Sequence, residues 1–206
     1  MIDIQLINKY IPEDIFSVVP REFFEDDLGH PDHDEYLLCG NYYEYYYALS
    51  KYYQPKSMLE IGVRRGYSMV FLIMGSDNIE QVAGWDIPTP DHDNYVQDCL
   101  NGLDEKILKY TKKDIKLYLK YCDSQKVNSI DDKCDLIHID GCHEHDAKIH
   151  DLELTIGKSK VVIVDDYKCD TVGAACSEFL RRHLSKFNCC YAIDTLRGTL
   201  VLEQKE

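Results

Sequence analysis

The chain has few basic residues for its size: 23 Lys and Arg stand against 37 Asp and Glu, which leaves a formal net charge of −14. Such a charge repels phosphate backbones and anionic lipid surfaces, so we expect neither nucleic acid nor a membrane as a partner. The sequence also lacks an apolar run of the roughly 18 residues that a membrane span requires, and its first residues lack the pattern of a signal peptide. These absences predict a cytoplasmic protein.

Paired cysteines are also missing. The nine Cys are an odd number and contain no C-x-x-C pair, and the vicinal Cys189 and Cys190 are badly placed to bridge each other. This pattern favours neither a disulfide framework nor a zinc site. We therefore expect reduced thiols.

The composition that is present is that of a globular protein. Hydrophobic residues make up 45% and charged residues 29% of the 206 positions, which suits one compact domain with a short appendage. The first 55 residues differ from the rest, because they hold most of the Pro and an acidic stretch over 25–35. A Tyr-rich segment follows, and its spacing predicts a helix over 41–53, whose phenols either pack on the core or line a ligand pocket.

Short apolar runs alternate with helical stretches from Ser57 onward, which is typical of βα units around a mainly parallel sheet. The predicted strands are 57–61, 81–86, 116–122, 135–139 and 160–165, and the predicted helices are 67–74, 92–109, 144–156 and 173–186. Two more strands are predicted within 189–202, around a turn at 196–199, as an antiparallel hairpin. The sequence thus predicts an α/β fold, a mainly parallel seven-stranded sheet with helices on both faces.

The first βα turn runs from Glu60 to Ser68 and has Gly at 62 and 66, where the backbone can approach a ligand. Dinucleotide-binding proteins have G-x-G-x-x-G at this place, whereas this turn has G-x-x-x-G preceded by an acid. A carboxylate there would repel pyrophosphate but could pair with a cationic ligand, such as the amino group of S-adenosylmethionine. A generic strand turn could also hold these residues.

Two more strand ends carry polar residues that suit a nucleoside. Asp86 ends the second strand and could accept both ribose hydroxyls, although a solvent-exposed helix cap explains it equally well. Asp123 and Ser124 follow the third strand, where they could bind adenine in the next crevice.

Carboxylates follow the fourth and fifth strands. Asp140 ends one apolar run and Asp165-Asp166 end the next, so a βαβ crossover would bring all three to one edge of the sheet. Together they would raise each other's pKa unless a cation neutralised them, and oxygen ligands suit Mg²⁺. His143, three residues beyond Asp140, is placed to act as a general base. We expect His138 to be buried and structural, and His145 and His150 to lie on a helix surface.

These strand ends resemble those of class I S-adenosylmethionine-dependent methyltransferases, over about residues 55–206. The segment Leu59–Ser68 is similar to the cofactor-binding turn of catechol-type O-methyltransferases. The segment Ile139–His143, with Asp151-Leu152 after it, resembles the metal-dependent subgroup. The segment Val162–Tyr167 resembles macrocin-type sugar O-methyltransferases.

The resemblance implies a Rossmann-like methyltransferase domain over 56–206. The residues before it match no part of the family, and we expect this N-terminal helical and loop extension over 1–55 to shape the acceptor pocket together with the loop at 88–95. It implies Mg²⁺-assisted, S-adenosylmethionine-dependent O-methyl transfer to a small hydroxylated acceptor, sugar-like or with catechol-like vicinal hydroxyls. A homo-oligomer is compatible with the sequence. The metal ligands would be Asp140, Asp165 and Asp166, the catalytic residues His143 and Asp140, and the cofactor-binding residues Glu60, Gly62, Arg64, Gly66, Tyr67, Ser68, Asp86, Asp123 and Ser124.

Other classes of protein remain open. A cephalosporin-hydroxylase-like metal enzyme has a similar framework with acidic strand ends, and a non-catalytic S-adenosylmethionine-binding module could keep the same fold. A nicotinamide oxidoreductase is disfavoured by Glu60 and by the missing third Gly of the turn.

Overall fold

The structure, a computed structural model, describes residues 3–24, 41–87 and 100–205. Its strands are β1 (Ser57–Ile61), β2 (Gln81–Asp86), β3 (Lys116–Tyr121), β4 (Cys134–Ile139), β5 (Ser159–Val164), β6 (Phe187–Ile193) and β7 (Thr199–Gln204). Its helices are α1 (Ile4–Asn8), α2 (Tyr43–Tyr53), α3 (Tyr67–Gly75), α4 (Leu103–Thr111), α5 (His145–Thr155) and α6 (Asp170–His183). Short 3₁₀ turns lie at Ile15–Ser17, Arg21–Phe23, Ser124–Lys126 and Leu184–Lys186.

The seven strands form one sheet in the order β3-β2-β1-β4-β5-β7-β6. Strands β1 to β5 are parallel, and β7 runs antiparallel to both β5 and β6. The chain moves outward from β1 to β3 and then crosses over to β4, so β1 and β4 flank the point where the strand order reverses. Ligands of open α/β sheets bind beyond the carboxyl ends of the strands at such a point. The predicted seven-stranded α/β fold is confirmed.

Helices cover both faces of the sheet, and the alternation of side chains along each strand divides the core into two apolar layers. In β4, Leu136 belongs to the layer formed with α2 and α3, whereas Ile137 belongs to the layer formed with α5 and α6. Phe71 and Phe179 are fully buried, one in each layer. The strand ends that carry the polar residues are therefore supported from both sides.

The described N-terminal residues pack on the same core. Phe24 is fully buried, and its ring centroid lies 4.9 Å from that of Tyr67 and 6.1 Å from that of Phe71. Helix α2 lies against α3. The part of 1–55 that the structure describes is thus joined to the main domain, and its role in shaping an acceptor pocket stays a prediction.

Element ends differ from the predictions where a local signal outweighs the apolar pattern. Helix α4 begins at Leu103, because Gly102 before it has a left-handed φ of 78°. The rest of the predicted helix at 92–109 lies partly outside the described residues, as does the loop at 88–95. Helix α6 begins earlier than predicted, at Asp170, an acidic residue that favours a helix N-terminus.

Two expectations concern membranes and thiols. None of the helices within 3–24, 41–87 and 100–205 combines the length and the apolar character needed to cross a membrane. The cysteines of these ranges are free thiols: Cys122, Cys134, Cys142, Cys169, Cys176, Cys189 and Cys190.

Candidate active site

The turn between β1 and α3 packs directly against the end of β4. Gly62 has a φ of 90°, and a Cβ built on it would lie 2.2 Å from the carbonyl oxygen of Asp140. The Gly62 N–H donates to the Trp85 carbonyl at 2.8 Å, and the Asp140 N–H donates to the Ile61 carbonyl at 2.8 Å. Glycine is therefore required at position 62, and the turn is held beside Asp140.

Glu60 is completely buried under this turn. Its Oε1 accepts from the Ser68 hydroxyl at 2.5 Å and lies 2.7 Å from Nδ1 of His138, its neighbour on β4, which is also fully buried. The other oxygen, Oε2, has no hydrogen-bond partner among the described residues. A buried carboxylate costs free energy unless it is paired, so Ser68 and His138 stabilise Glu60, and Oε2 is left able to accept from a further donor.

The other predicted cofactor residues of the turn have different surroundings. Tyr67 is buried, and its ring packs against Phe24, so this side chain is part of the hydrophobic core. Gly66 caps the N-terminus of α3 with a φ of 71°. Arg64 has a φ of 47° and is exposed, so it is the member of this turn whose side chain is open to solvent.

Asp86 ties the end of β2 to the same turn. Its Oδ2 accepts from the Arg64 N–H at 2.5 Å, and its Oδ1 accepts from the Ile87 N–H at 2.7 Å. Burial raises the pKa of the Asp86 carboxyl, and the backbone hydrogen bonds oppose that rise. Asp86 thus stabilises the β1–α3 turn in this structure, and ribose binding by its carboxylate stays a prediction.

Asp123 caps the short helical turn that follows β3. Its Oδ1 accepts from the Gln125 N–H at 3.1 Å, and its Oδ2 lies 3.0 Å from the ammonium of Lys126, which lowers the pKa of Asp123. The Ser124 carbonyl lies 3.0 Å from Nε2 of His150. The Cys122 N–H donates to the Asp86 carbonyl at 2.7 Å, so the two predicted nucleoside-binding strand ends are neighbours.

Asp140, His143 and Asp166 come together at the carboxyl edge of β4 and β5. Each offers one ligand atom, and these atoms all lie within 4.8 Å of one another. His143 Nε2 is 3.0 Å from Asp166 Oδ2 and 4.0 Å from Asp140 Oδ1. The side chains of Asp140 and His143 are 29% and 49% exposed, so the group is open to solvent and to a ligand.

Charges at this edge shift the protonation of its members. Partial burial of its carboxyl, followed by the carboxylates of Asp165 and Asp166, raises the pKa of Asp140 well above its usual value. The hydrogen bond to Asp166 raises the pKa of His143. Repulsion between neighbouring carboxylates is the condition that a bound cation relieves.

Asp165 is not a member of this group. Its side chain is buried, and its Oδ2 accepts a short hydrogen bond from the Tyr42 hydroxyl, while burial raises the pKa of its carboxyl. The reason for the separation is the backbone: successive residues after a strand point to opposite sides, and Asp166 has a left-handed φ of 57° that directs it towards His143. The structure therefore groups two of the three predicted acids with His143.

Two contacts of this edge were not predicted from the sequence. Tyr42 reaches Asp165 from the start of α2, where the Tyr-rich pattern gave the only signal. Arg197, on the turn between β6 and β7, places Nε 3.9 Å from Asp166 Oδ1. An argument from the ends of parallel strands does not find Arg197, because its turn belongs to the antiparallel pair.

The predicted site residues lie within a stretch that matches a known protein family. Residues 59–167 match the family described as a methyltransferase domain, a span of more than half of the 206 residues. The chain belongs to this methyltransferase family. The match includes the β1–α3 turn and ends just after Asp165-Asp166, so it contains every predicted site residue. A search of curated proteins finds no match to this methyltransferase.

Solved structures share the fold of this methyltransferase. The Podospora anserina methyltransferase PaMTH1 with bound SAH has a TM-score of 0.63 and 16% identity, and the match covers 90% of this chain and 87% of that one. The Bacillus cereus O-methyltransferase in complex with SAH has a TM-score of 0.58 and 14% identity, and the match covers 98% of this chain and 96% of that one. The O-methyltransferase TomG of Streptomyces achromogenes, in complex with SAM, has a TM-score of 0.59 and 15% identity, and the match covers 98% of this chain and 96% of that one.

The residues of the methyltransferase fit both groups that the sequence implies. The carboxylates of Asp140 and Asp166 lie beside the His143 imidazole and suit a hard divalent cation whose shell is completed by water or acceptor oxygens, which leaves His143 able to take a proton. Glu60 Oε2, buried and without a partner in the described part of the chain, suits a donor from a cationic ligand.

Proposed function

We propose that the protein transfers a methyl group from S-adenosylmethionine to a hydroxyl oxygen of a small molecule, assisted by Mg²⁺ or another hard divalent cation. The observation that carries this proposal is the direct contact between the Gly62 turn and Asp140, which joins a cofactor-type turn to the Asp140–His143–Asp166 group. Structural neighbours described as O-methyltransferases with SAH or SAM support the choice of an oxygen acceptor and of this methyl donor.

The cofactor side of the site would be formed by the carboxyl ends of β1, β2 and β3. Arg64 and Gly66 lie on the turn, Asp86 is tied to it, and Asp123 follows next along the edge. S-adenosylmethionine supplies an electrophilic methyl group, and a divalent cation supplies Lewis acidity that lowers the pKa of a bound hydroxyl. Because the fold holds these strand ends in place, the methyl donor and the acceptor can be positioned without a large rearrangement.

His143 and Asp166 would form the acid–base pair. A carboxylate only accepts hydrogen bonds, so the 3.0 Å contact places a hydrogen on Nε2 of His143 and leaves Nδ1 of the neutral ring as the proton acceptor. Asp166 thereby orients the imidazole and stabilises it after it takes the proton of the acceptor hydroxyl. The acceptor oxygen then bonds to the methyl carbon as the carbon–sulfur bond breaks. The acceptor is expected to be sugar-like or to carry vicinal hydroxyls.

The proposal is tested by methyl transfer to a panel of polyols and catechols, followed by mass spectrometry with S-adenosylmethionine and Mg²⁺. We expect His143→Ala to lower the rate by about 10²–10⁴-fold, the range of general base catalysis. His145→Gln is the matched control, since His145 lies nearby but pairs with Asp146 and Glu178 instead. Transfer at the full rate by His143→Ala would disprove the role of His143. Cofactor binding without transfer to any acceptor would favour a non-catalytic binding module.

A further inference from the structure

A buried lysine lies beneath the active-site edge and has no role in the chemistry above. Lys148, on α5, is completely buried, and its Nζ has no hydrogen-bond partner among the described residues. Removing an ammonium from water is costly unless nearby groups compensate it. The groups around Lys148 must therefore offset the cost of burying its charge.

Asp151 lies on the same side of α5 as Lys148, because side chains three residues apart in a helix are neighbours. It too is completely buried, and its Oδ1 accepts from Gln125 Nε2 at 2.9 Å. Its Oδ2, which has no partner within the described ranges, would lie 3.2 Å from a Cβ built on Gly141. Asp151 is thus placed directly under the residue that follows Asp140.

The charge of Lys148 reaches the edge of the sheet. Lys148 lies on the first turn of α5, where its backbone N–H donates to the Glu144 carbonyl at 2.9 Å, and Asp151, one turn further on, packs under Gly141, the residue next to Asp140. The turn that separates Asp140 from α5 is short, since α5 begins at His145. The buried side chain of Lys148 therefore lies on the face of α5 that packs under the Asp140 turn.

We propose that Lys148 is a positioning residue, the fixed counter-charge of the Asp140–His143–Asp166 group, and that it limits the affinity of this group for a divalent cation. This inference rests on the proposed function, because it requires a cation at the group. The ammonium of Lys148 reduces the repulsion between the neighbouring carboxylates when no cation is bound, and it repels a cation that binds there. Asp151 has the opposite effect, because it partly neutralises Lys148 from below.

The test is a calorimetric titration of the purified chain with Mg²⁺ and with Mn²⁺. We expect Lys148→Met, which keeps the length of the side chain, to bind either ion about tenfold more tightly, as removal of one partly screened charge would do. We expect Asp151→Asn to bind more weakly by a similar factor. Lys160→Met is the control for net charge, since Lys160 pairs with Asp135 at the opposite end of the strands. It should leave the affinity unchanged.

A purely structural role of Lys148 would not make the cation affinity rise in Lys148→Met and fall in Asp151→Asn. Damage to the turn would weaken cation binding in both variants. Weaker or unchanged binding in Lys148→Met would overturn the inference and leave the proposed function standing. If Lys148→Met does not fold, tighter or unchanged binding in Asp151→Asn would overturn it as well. No ion uptake by the unmodified chain would overturn both the inference and the cation part of the proposed function.

Discussion

At the scale of single residues, the closest approach at the site is between Gly62 and the backbone of Asp140. The Asp140 carbonyl occupies the space that a side chain at position 62 would need, and the φ of 90° at Gly62 is one that other residues rarely adopt. A change at Gly62 must therefore move Asp140. The cofactor-type turn and the acidic group are coupled through this contact.

We expect Gly62→Ala to lower the free energy of unfolding by about 3 kcal/mol or more, because backbone strain adds to a direct overlap. Gly157→Ala is the matched control: Gly157 also has a positive φ, of 69°, but nothing lies within 4 Å of its Cβ position. It should cost only about 1–2 kcal/mol, the penalty of the left-handed conformation. Denaturant unfolding measures both values, and an equal loss in the two variants would contradict the overlap.

The sequence identifies the acidic residues of the site but does not predict which of them contacts which partner. Asp165 and Asp166 are adjacent, and only the left-handed φ of Asp166 decides that one pairs with Tyr42 and the other with His143. No residue pattern specifies that angle for an Asp. The burial of Lys148 was equally unpredictable, because a lysine near the start of a helix ordinarily lies in solvent.

At the scale of elements, β1 and β4 are joined by a buried pair as well as by the strand ladder. Glu60 and His138 are register partners on the two strands, with both side chains completely buried and Nδ1 of His138 2.7 Å from Glu60 Oε1. The pair lies one residue before the Ile61–Asp140 hydrogen bond. The two strands that flank the strand-order reversal are thus fixed relative to each other below the site.

We expect His138→Leu to lower the free energy of unfolding by about 3–5 kcal/mol, because it removes the buried imidazole from Glu60 and leaves the carboxylate with the Ser68 hydroxyl alone among the described partners. Glu60→Gln in the same chain should recover part of that loss, so the double variant costs less than the sum of the single ones. The partly exposed pair Glu153–His183, 2.8 Å apart, is the control cycle, and its coupling should be below about 1 kcal/mol. Additive losses at Glu60 and His138 would contradict the pairing.

The order of elements was predictable because buried strands of a parallel sheet are continuous apolar runs that turn signals delimit. Strands β1 and β2 have the predicted bounds. Strand β3 has no buried residue, because it lies at the edge of the sheet, and it ends one residue earlier than predicted, at Tyr121. Helix ends were less predictable, since caps such as Gly102 depend on backbone angles rather than on apolar spacing.

At the scale of the whole molecule, the net charge of −14 and the Asp140–His143–Asp166 group both favour the binding of cations. An acidic surface attracts divalent cations over several ångströms, although salt screens this attraction. Specific binding at the edge of the sheet must therefore be separated from general attraction to the surface. A ligand that binds only the folded chain raises its stability in proportion to the logarithm of its concentration over Kd.

Mg²⁺ at about 100 times its Kd is therefore expected to stabilise the folded chain by about 2.7 kcal/mol and to raise its Tm. Asp166→Asn should abolish most of the rise, because it removes a carboxylate of the group while Asn tolerates the left-handed φ of 57° at that position. Asp146→Asn removes the same charge from a fully exposed side chain on α5 and should keep the rise. Scanning calorimetry with and without Mg²⁺ distinguishes the two cases. An equal rise in both variants would mean that Mg²⁺ acts through the general charge of the surface and not through Asp166.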